Sequence, residues 1–372
     1  MSITLKTEEL NNICSKILFA VDSNGLSEIT ETLELVLNNN NLYLQVTNRE
    51  YFIKIKLSTN IAEDFHATVN AELFLKLISK ITTELVTMDI SDNCLLITGN
   101  GKYKLPLVYD GTELLKLPEI TIDNVTNSFN ISGDVLDSIF TYNSKQLIGK
   151  VINNPVQSLY YVDNEGAITF TSGACVNKFE LDEDVKLLLN SKLVKLFKLF
   201  KSDTVEFSIG QDKLSEELIQ TKAKFKTSDI ELTAVLPTNE ASIKKVPVKV
   251  IRDRAYKDYK YSVTINRIEM LQAINRLFIF SDKSSAVDRT YGVFTFEKNK
   301  VIISDMNSVN KEEIVYANES IISDEYKAVL DFTDIKSILD SSTGEFITFN
   351  FGDNQAIVCV KDNIYNIVPE IV

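Results

Sequence analysis

Leu189-Asn190-Ser191-Lys192-Leu193-Val194-Lys195-Leu196-Phe197-Lys198-Leu199-Phe200-Lys201 is the most informative stretch of this sequence. Asn190 is an N-cap type of residue, and Leu193, Leu196, Phe197 and Phe200 recur at helical spacing behind it. Lys192, Lys195, Lys198 and Lys201 recur every three residues. The spacing predicts a short helix with one apolar and one cationic face. The same design occurs twice more. Val69-Asn-Ala-Glu-Leu-Phe-Leu-Lys-Leu-Ile-Ser-Lys-Ile places Asn70 before a helical period, and Leu330-Asp-Phe-Thr-Asp-Ile-Lys-Ser-Ile-Leu-Asp does so with Asp331.

Each copy is followed by alternating, strand-like runs. These include Thr87-Met-Asp-Ile with Cys94-Leu-Leu-Ile-Thr, Thr204-Val-Glu-Phe-Ser-Ile with Ala223-Lys-Phe-Lys, and Phe346-Ile-Thr-Phe-Asn-Phe with Ala356-Ile-Val-Cys-Val. Ser91-Asp92-Asn93 and Gly352-Asp353-Asn354 read as hairpin turns. Another helix opens each cycle. Its apolar stripe is Leu10, Ile13, Cys14 and Ile17 in the first copy, and Val135, Leu136, Ile139 and Phe140 in the second. In the third, Asn266 and Glu269 suit a capping box. A cycle of helix, strands, helix and strands that runs three times predicts an α+β protein of three repeated domains, 1–124, 125–257 and 258–372. The joins fall near Thr121-Ile-Asp-Asn-Val and in the charged stretch from Lys244 to Lys260.

Composition excludes several functions. The 372 residues carry a net charge of −13, which argues against a uniformly basic nucleic-acid binder. Positive charge confined to one surface remains compatible with that total. Cys14, Cys94, Cys175 and Cys359 lie far apart in or beside apolar runs, and His66 is the only histidine. No metal site and no cofactor are therefore expected, and the thiols read as buried and reduced. There is no GxGxxG, GxxxxGK[ST] or GxSxG motif. Gly99-Asn100-Gly101 reads as a hairpin turn, and His66 as a strand residue. Asp182-Glu183-Asp184 reads as a solvated turn. No catalytic residue is expected. No apolar run approaches membrane-spanning length and no secretory leader is evident, so the expectation is a soluble, cytoplasmic protein without a membrane partner.

The remaining cations point to DNA. Besides the Lys192, Lys195, Lys198 and Lys201 row, the helices offer Lys16, Lys76, Lys80, Lys145, Arg267, Arg276 and Lys336. A basic amphipathic helix can also lie on an anionic membrane. Recurrence on equivalent helices of a repeated fold favours a shared surface that contacts phosphates without reading sequence.

Several motifs, taken in their joint order, resemble the bacterial sliding clamp, the β subunit of DNA polymerase III. In the first copy they are Leu42-Tyr-Leu-Gln-Val-Thr-Asn-Arg-Glu-Tyr and Ile97-Thr-Gly-Asn-Gly-Lys-Tyr-Lys-Leu-Pro-Leu, and in the second Ile168-Thr-Phe-Thr-Ser-Gly-Ala-Cys-Val. The resemblance extends over the whole chain and marks it as a divergent clamp, of host or phage origin. It implies the DNA-clamp fold, with outer antiparallel sheets and two inner helices per domain. It also implies a homodimeric, head-to-tail ring around double-stranded DNA, partnered by a DNA polymerase and a clamp loader.

The resemblance further implies a partner-peptide pocket. The family's Thr-Asp-Gly-His-Arg-Leu is matched by Thr171-Ser172-Gly173-Ala174-Cys175-Val176, without the His-Arg pair. Its C-terminal motif becomes Val368-Pro369-Glu370-Ile371-Val372. Thr171, Gly173, Val176, Pro237, Val368, Pro369 and Ile371 are the expected lining, with Glu370 placing negative charge at the rim. Phe74 and Ile78 of one chain and Ile279 and Phe280 of the other are the expected dimer contacts. The competing readings are a β-rich structural or assembly protein, in which the repeats serve only stacking, and an enzyme with an unrecognised pocket. Lysines concentrated on equivalent helices favour the clamp over stacking.

Overall fold

The structure is a computed structural model that describes residues 2–21, 27–147, 152–213, 219–280, 290–320 and 322–371. The chain forms two compact units, residues 1–136 with 192–237, and residues 137–191 with 238–372.

Each unit contains one four-stranded and one eight-stranded antiparallel sheet. Alternation builds them. On Thr32–Asn38 the side chains of Leu33, Leu35 and Leu37 are buried. The two-residue loops Asn39-Asn40 and Asp92-Asn93 hold both residues at positive φ, the twist that suits a tight hairpin. Gly99 donates its N–H to the Gly101 carbonyl at 2.9 Å, so the Gly-Asn-Gly segment is a hairpin turn as predicted.

The eight-stranded sheets are fusions. In the first unit, Ile230–Leu236 of the second repeat pairs with Tyr51–Ser58 of the first. In the second, Ala174–Lys178 of the second repeat pairs with Ile364–Pro369 of the third. One row across the first fusion runs Glu206, Lys226, Glu231, Lys54, Gln45 and Glu34 on successive strands. Opposite charges facing across strands favour this register.

The helices pack on the sheets of their own units and begin at the expected cap residues, although Glu269 does not return the bond that would complete a capping box. Asn70 accepts from the Leu73 N–H at 3.0 Å, Asn266 from those of Ile268 and Glu269, and Asp331 from that of Thr333 at 2.8 Å. These caps begin Ala71–Ile78, Arg267–Leu277 and Phe332–Ser341. The second repeat's opening helix is built differently within the described residues. Thr7–Ile17 with Leu18–Ala20, and Arg267–Leu277 with Phe278–Phe280, run α then 3₁₀. Gly133–Ser138, Ile139–Asn143 and Ser144–Leu147 run α, π and 3₁₀.

A crossing bond after the last strand recurs in all three repeats. Val108 donates to the Thr68 carbonyl, the Thr238 hydroxyl bonds both backbone groups of Leu188, and Ile371 donates to the Val329 carbonyl. The same local closure at three places is physical evidence of one repeated design.

The outer face of the second unit's eight-stranded sheet is roofed by the connector that the sequence marks only as charged. Val246, Ile251 and Ala255 pack on Tyr161, Ile168, Val176, Leu188, Val358 and Ile367. Arg252 on this connector bonds both Asp163 carboxylate oxygens, at 2.9 and 2.6 Å, and also Glu165 at 2.9 Å. Burial of Arg252 and Asp163 makes that pair a fastening rather than a surface ion pair. Cys14, Cys175 and Cys359 are buried and free, with thiols pushed well above their ordinary range by burial, and Cys94 is half-buried. His66 lies on the strand Phe65–Asn70 and bonds the buried Glu34 at 2.8 Å.

Candidate nucleic-acid interface, open edges and peptide groove

The lysine row does not sit on one continuous α-helix as expected. Ser191–Val194 is α-helical, and Lys195–Phe200 is a 3₁₀ helix. The every-third spacing explains why. At about 3.0 residues per turn, residues three apart eclipse, whereas in an α-helix the lysines would drift around the axis. The 3₁₀ form holds Lys195 and Lys198 in a line, ~6 Å apart along the axis at ~2.0 Å rise per residue, and Lys201 follows as the residue that ends the helix. Leu196, Phe197 and Phe200 are buried beneath them. Lys192, Lys195 and Lys201 are exposed, whereas Lys198 is half-buried over the Phe19 ring.

The other predicted cations are less alike. Lys76 and Lys80 are exposed on and just after Ala71–Ile78, and Lys76 is paired with Glu72. Lys16 and Lys145 are half-buried. Lys336 lies 5.8 Å from the Phe278 ring centroid. Arg276 forks onto Glu312 at 2.7 and 2.9 Å. Arg267 donates to the carbonyls of Gly344 and Leu339, at the C-terminal end of Phe332–Ser341. That bond ties two helices together and complements a helix dipole, a structural task the sequence does not reveal.

Of the four expected dimer contacts, Phe74 and Ile78 are fully buried in their own unit and present no surface. The exposed apolar residue of that helix is Leu73, at 54%. Ile279 and Phe280 are exposed, at 78% and 57%.

Among the described residues, one edge of each four-stranded sheet is Lys102–Pro106 in the first unit and Lys311–Val315 in the second, the opposite edges being Ser2–Lys6 and Tyr326–Asp331. Lys102–Pro106 and Lys311–Val315 hold the positions that, at the two fusions, are filled by Ile230–Leu236 and Ile364–Pro369 on one side and by Tyr51–Ser58 and Ala174–Lys178 on the other. Hydrogen-bonded pairs alternate along an antiparallel ladder. Gly99 bonds Gly101 and Leu107 bonds Asn93, so Lys102 and Lys104 turn their backbone groups outward. Asp305 bonds Asn310 and Tyr316 bonds Asn299, so Lys311, Glu313 and Val315 do the same.

A groove of about 230 Å³ lies between the connector helix Val248–Ala255 and the ends of four strands of the second unit. Thr171, Gly173 and Pro369 line it, as predicted. Val176 and Val368 are buried in the sheet's packing instead. Pro237 and Ile371 are not among the lining residues. Ile371 is tied to Val329, and Val372 lies outside the described residues. A Cβ on Gly173 would stand 2.4 Å from the Ile367 carbonyl oxygen. Its bareness therefore serves strand contact, not the approach of a peptide as the sequence suggested. The wall also includes Phe170, Pro247, Val250, Ile251, Arg254 and Ile367, which sequence reasoning missed. The signal was available: Val248, Ile251 and Ala255 recur at helical spacing just after Pro247.

The comparisons agree with this architecture. Structures of DNA polymerase III subunit beta from Borrelia burgdorferi and of the Bacillus subtilis sliding clamp superpose with TM-scores of 0.80 and 0.78. Both cover 100% of this chain and 99% of theirs, at 14% and 15% identity. The chain has the sliding-clamp fold. The Helicobacter pylori clamp, solved with a DNA ligase peptide, matches at a TM-score of 0.74 and 16% identity, over 100% of both chains. In sequence, residues 1–114 match the family described as DNA polymerase III beta subunit, N-terminal domain. A curated beta sliding clamp of Mycoplasmopsis pulmonis is 29% identical over 132 residues, 34% of this chain and 33% of that protein. The sequence signal is thus concentrated in one part of a clamp fold that extends over the whole chain. No helix among the described residues is long and apolar enough to cross a membrane.

Proposed function

We propose that this chain is a DNA polymerase processivity factor: a homodimeric ring of three domains per chain, 1–124, 125–257 and 258–372, that encircles double-stranded DNA. The observation that carries the reading is the pair of open edges. Two junctions within the chain are already fused into eight-stranded sheets, and one further junction of the same kind remains unmade. A second copy supplies it head to tail, Lys102–Pro106 against Lys311–Val315, and the same contact at the other end closes the ring.

The internal fusions supply the register. At each, the first outward-facing residue after the hairpin, Glu231 or Tyr365, stands opposite the second outward-facing residue of the other strand, Lys54 or Val176. The same count places Lys102 opposite Glu313, Tyr103 opposite Glu312, and Lys104 opposite Lys311. The charges of the first pair are complementary. The 3₁₀ turn Leu18–Ala20 packs against Lys195–Phe200 within the first unit, so the exposed Phe278–Phe280 turn is the counterpart that meets Leu73 of the partner.

In this ring the lysine row faces the duplex and contacts phosphates alone, so the protein slides. A polymerase and other replication proteins dock through the groove, a clamp loader opens the ring, and the work is done in the cytoplasm. The test is retention on DNA. Labelled protein loaded on a nicked circular plasmid should co-elute with it through gel filtration at moderate salt, and should be lost once the plasmid is linearised. Equal retention on both forms would replace the ring with an ordinary DNA-binding surface.

A further inference from the structure

The charge at the groove is opposite in sign to the one its sequence suggests. Glu370 does not line it. Its carboxyl is half-buried, accepts the Tyr326 hydroxyl, and is pushed above the usual carboxylate range by burial. It is committed to the tail's own fastening. The one charged residue in the wall is Arg254, on the connector helix beside Val250 and Pro247. Its guanidinium contacts the side-chain amide oxygen of Gln355, a neutral partner.

The surroundings are biased in the same direction. Residues 244–260 contain seven lysines and arginines and two aspartates, in a chain whose net charge is −13. Three of those cations are matched: Arg252 by Asp163 and Glu165, Lys257 by Asp353, and Lys244 by Glu240. Lys245 and Lys249 are exposed on either side of Pro247. Asp253 is exposed on the same helix but is not in the wall. Val250, at 65% exposure, leaves an apolar lip beside this positive rim.

We infer that the groove selects an extended peptide segment that carries a carboxylate next to its apolar anchors. This rests on the reading of the groove as the docking site for partner proteins, and adds the chemistry of the partner. The groove has room for one or two apolar side chains on Ile251, Ile367 and Pro369. An aspartate or glutamate beside them would take Arg254 from Gln355, replacing a contact with a neutral amide by a charge-assisted one. A lysine there would meet Arg254 and Lys249. Elsewhere the chain's negative excess repels acidic peptides, so attraction is local to this rim.

The test uses full-length protein and two labelled dodecapeptides with the same three leucines, one bearing two aspartates beside them and the other two lysines. Fluorescence anisotropy at low salt should show the acidic peptide binding at least about tenfold more tightly, the effect of one charge-assisted pair. Arg254→Glu should reverse the preference, and Arg254→Lys should retain most of it. The melting temperature of each variant should match that of the native protein. Equal binding of the two peptides, tighter binding of the lysine peptide, no binding of either, or a preference that survives Arg254→Glu would each overturn the inference. Retention on circular DNA, measured in parallel, reports on the ring separately. Loss of that retention with charge selection intact would sink the ring and spare the groove.

Discussion

Reversing one charge at the proposed seam should weaken the ring, and reversing both should restore it. Lys102→Glu turns the facing pair of Glu231 and Lys54 type into two carboxylates, Glu313 being the other. Cross-strand pairs of opposite charge contribute roughly 0.2–1 kcal/mol, and like charges destabilise by similar amounts. Reversal therefore costs about 0.4–2 kcal/mol per seam. A closed dimer has two seams, so the whole ring loses about 0.8–4 kcal/mol, and its dissociation constant rises by about fourfold to a thousandfold. Glu313→Lys should weaken the dimer to a similar extent, because the 2.8 Å contact of Glu313 with Lys300 lies within one chain and is lost from monomer and dimer alike. The double variant faces Glu against Lys again and should dimerise more tightly than either single one. Sedimentation equilibrium across nanomolar to micromolar protein measures all four. If Lys102→Glu dimerises as the native chain does, or if the double variant is weaker than both singles, the register carried over from the internal fusions is wrong.

Three further outcomes follow from local geometry. Replacing Lys192 and Lys195 with alanine should weaken DNA binding equally across sequences and lower the log–log salt slope by about 0.9 per lost phosphate contact. Filter binding at several salt concentrations reads this directly. Arg252→Ala leaves Asp163 buried without its partner and should cost about 3–5 kcal/mol in urea unfolding, while Arg252→Lys should cost less. Asp212 is held below its ordinary range chiefly by the Lys222 ammonium, which also bonds the Thr121 carbonyl of the first connector. A depressed carboxyl stabilises the fold above its unfolded pKa. That contribution should fade as pH falls from the ordinary carboxylate range through the folded value, and Asp212→Asn should flatten this part of the stability–pH curve.

What the sequence disclosed follows from the range of each interaction. The caps at Asn70, Asn266 and Asp331 and the Asp92-Asn93 turn depend on neighbours within a few residues, and the order of residues states them. The lysine row is visible as a period of three, which predicts a helix but leaves open whether it is α or 3₁₀. A strict three-residue spacing favours the 3₁₀ form. Phe74 and Ile78 are apolar whether they face a core or a partner, and only packing separates the two. Val176 and Val368 failed as groove residues for the same reason: both are buried in the packing of the sheet, Val176 opposite Tyr365 of the third repeat and Val368 opposite Ile357 of its own. Arg254 was passed over because its stretch was read for charge and not for its apolar spacing. The fusion of sheets between repeats, against which the edges Lys102–Pro106 and Lys311–Val315 stand out, depends on pairings no local window contains.

The most direct test of the ring closes it covalently around DNA. Tyr103 and Glu312 fall opposite each other as a non-hydrogen-bonded pair in the inferred register, where Cα atoms stand ~4.5 Å apart, within disulfide reach. A Tyr103→Cys, Glu312→Cys chain should be loaded on nicked circular DNA, oxidised, and run in denaturing detergent without reductant. A topological clamp predicts protein that stays with the circle in detergent, leaves it after a single cut of the plasmid or after reduction, and cannot be loaded if oxidised first. Release of the oxidised protein from uncut circles by detergent, with the inter-protomer disulfides formed, would contradict encirclement.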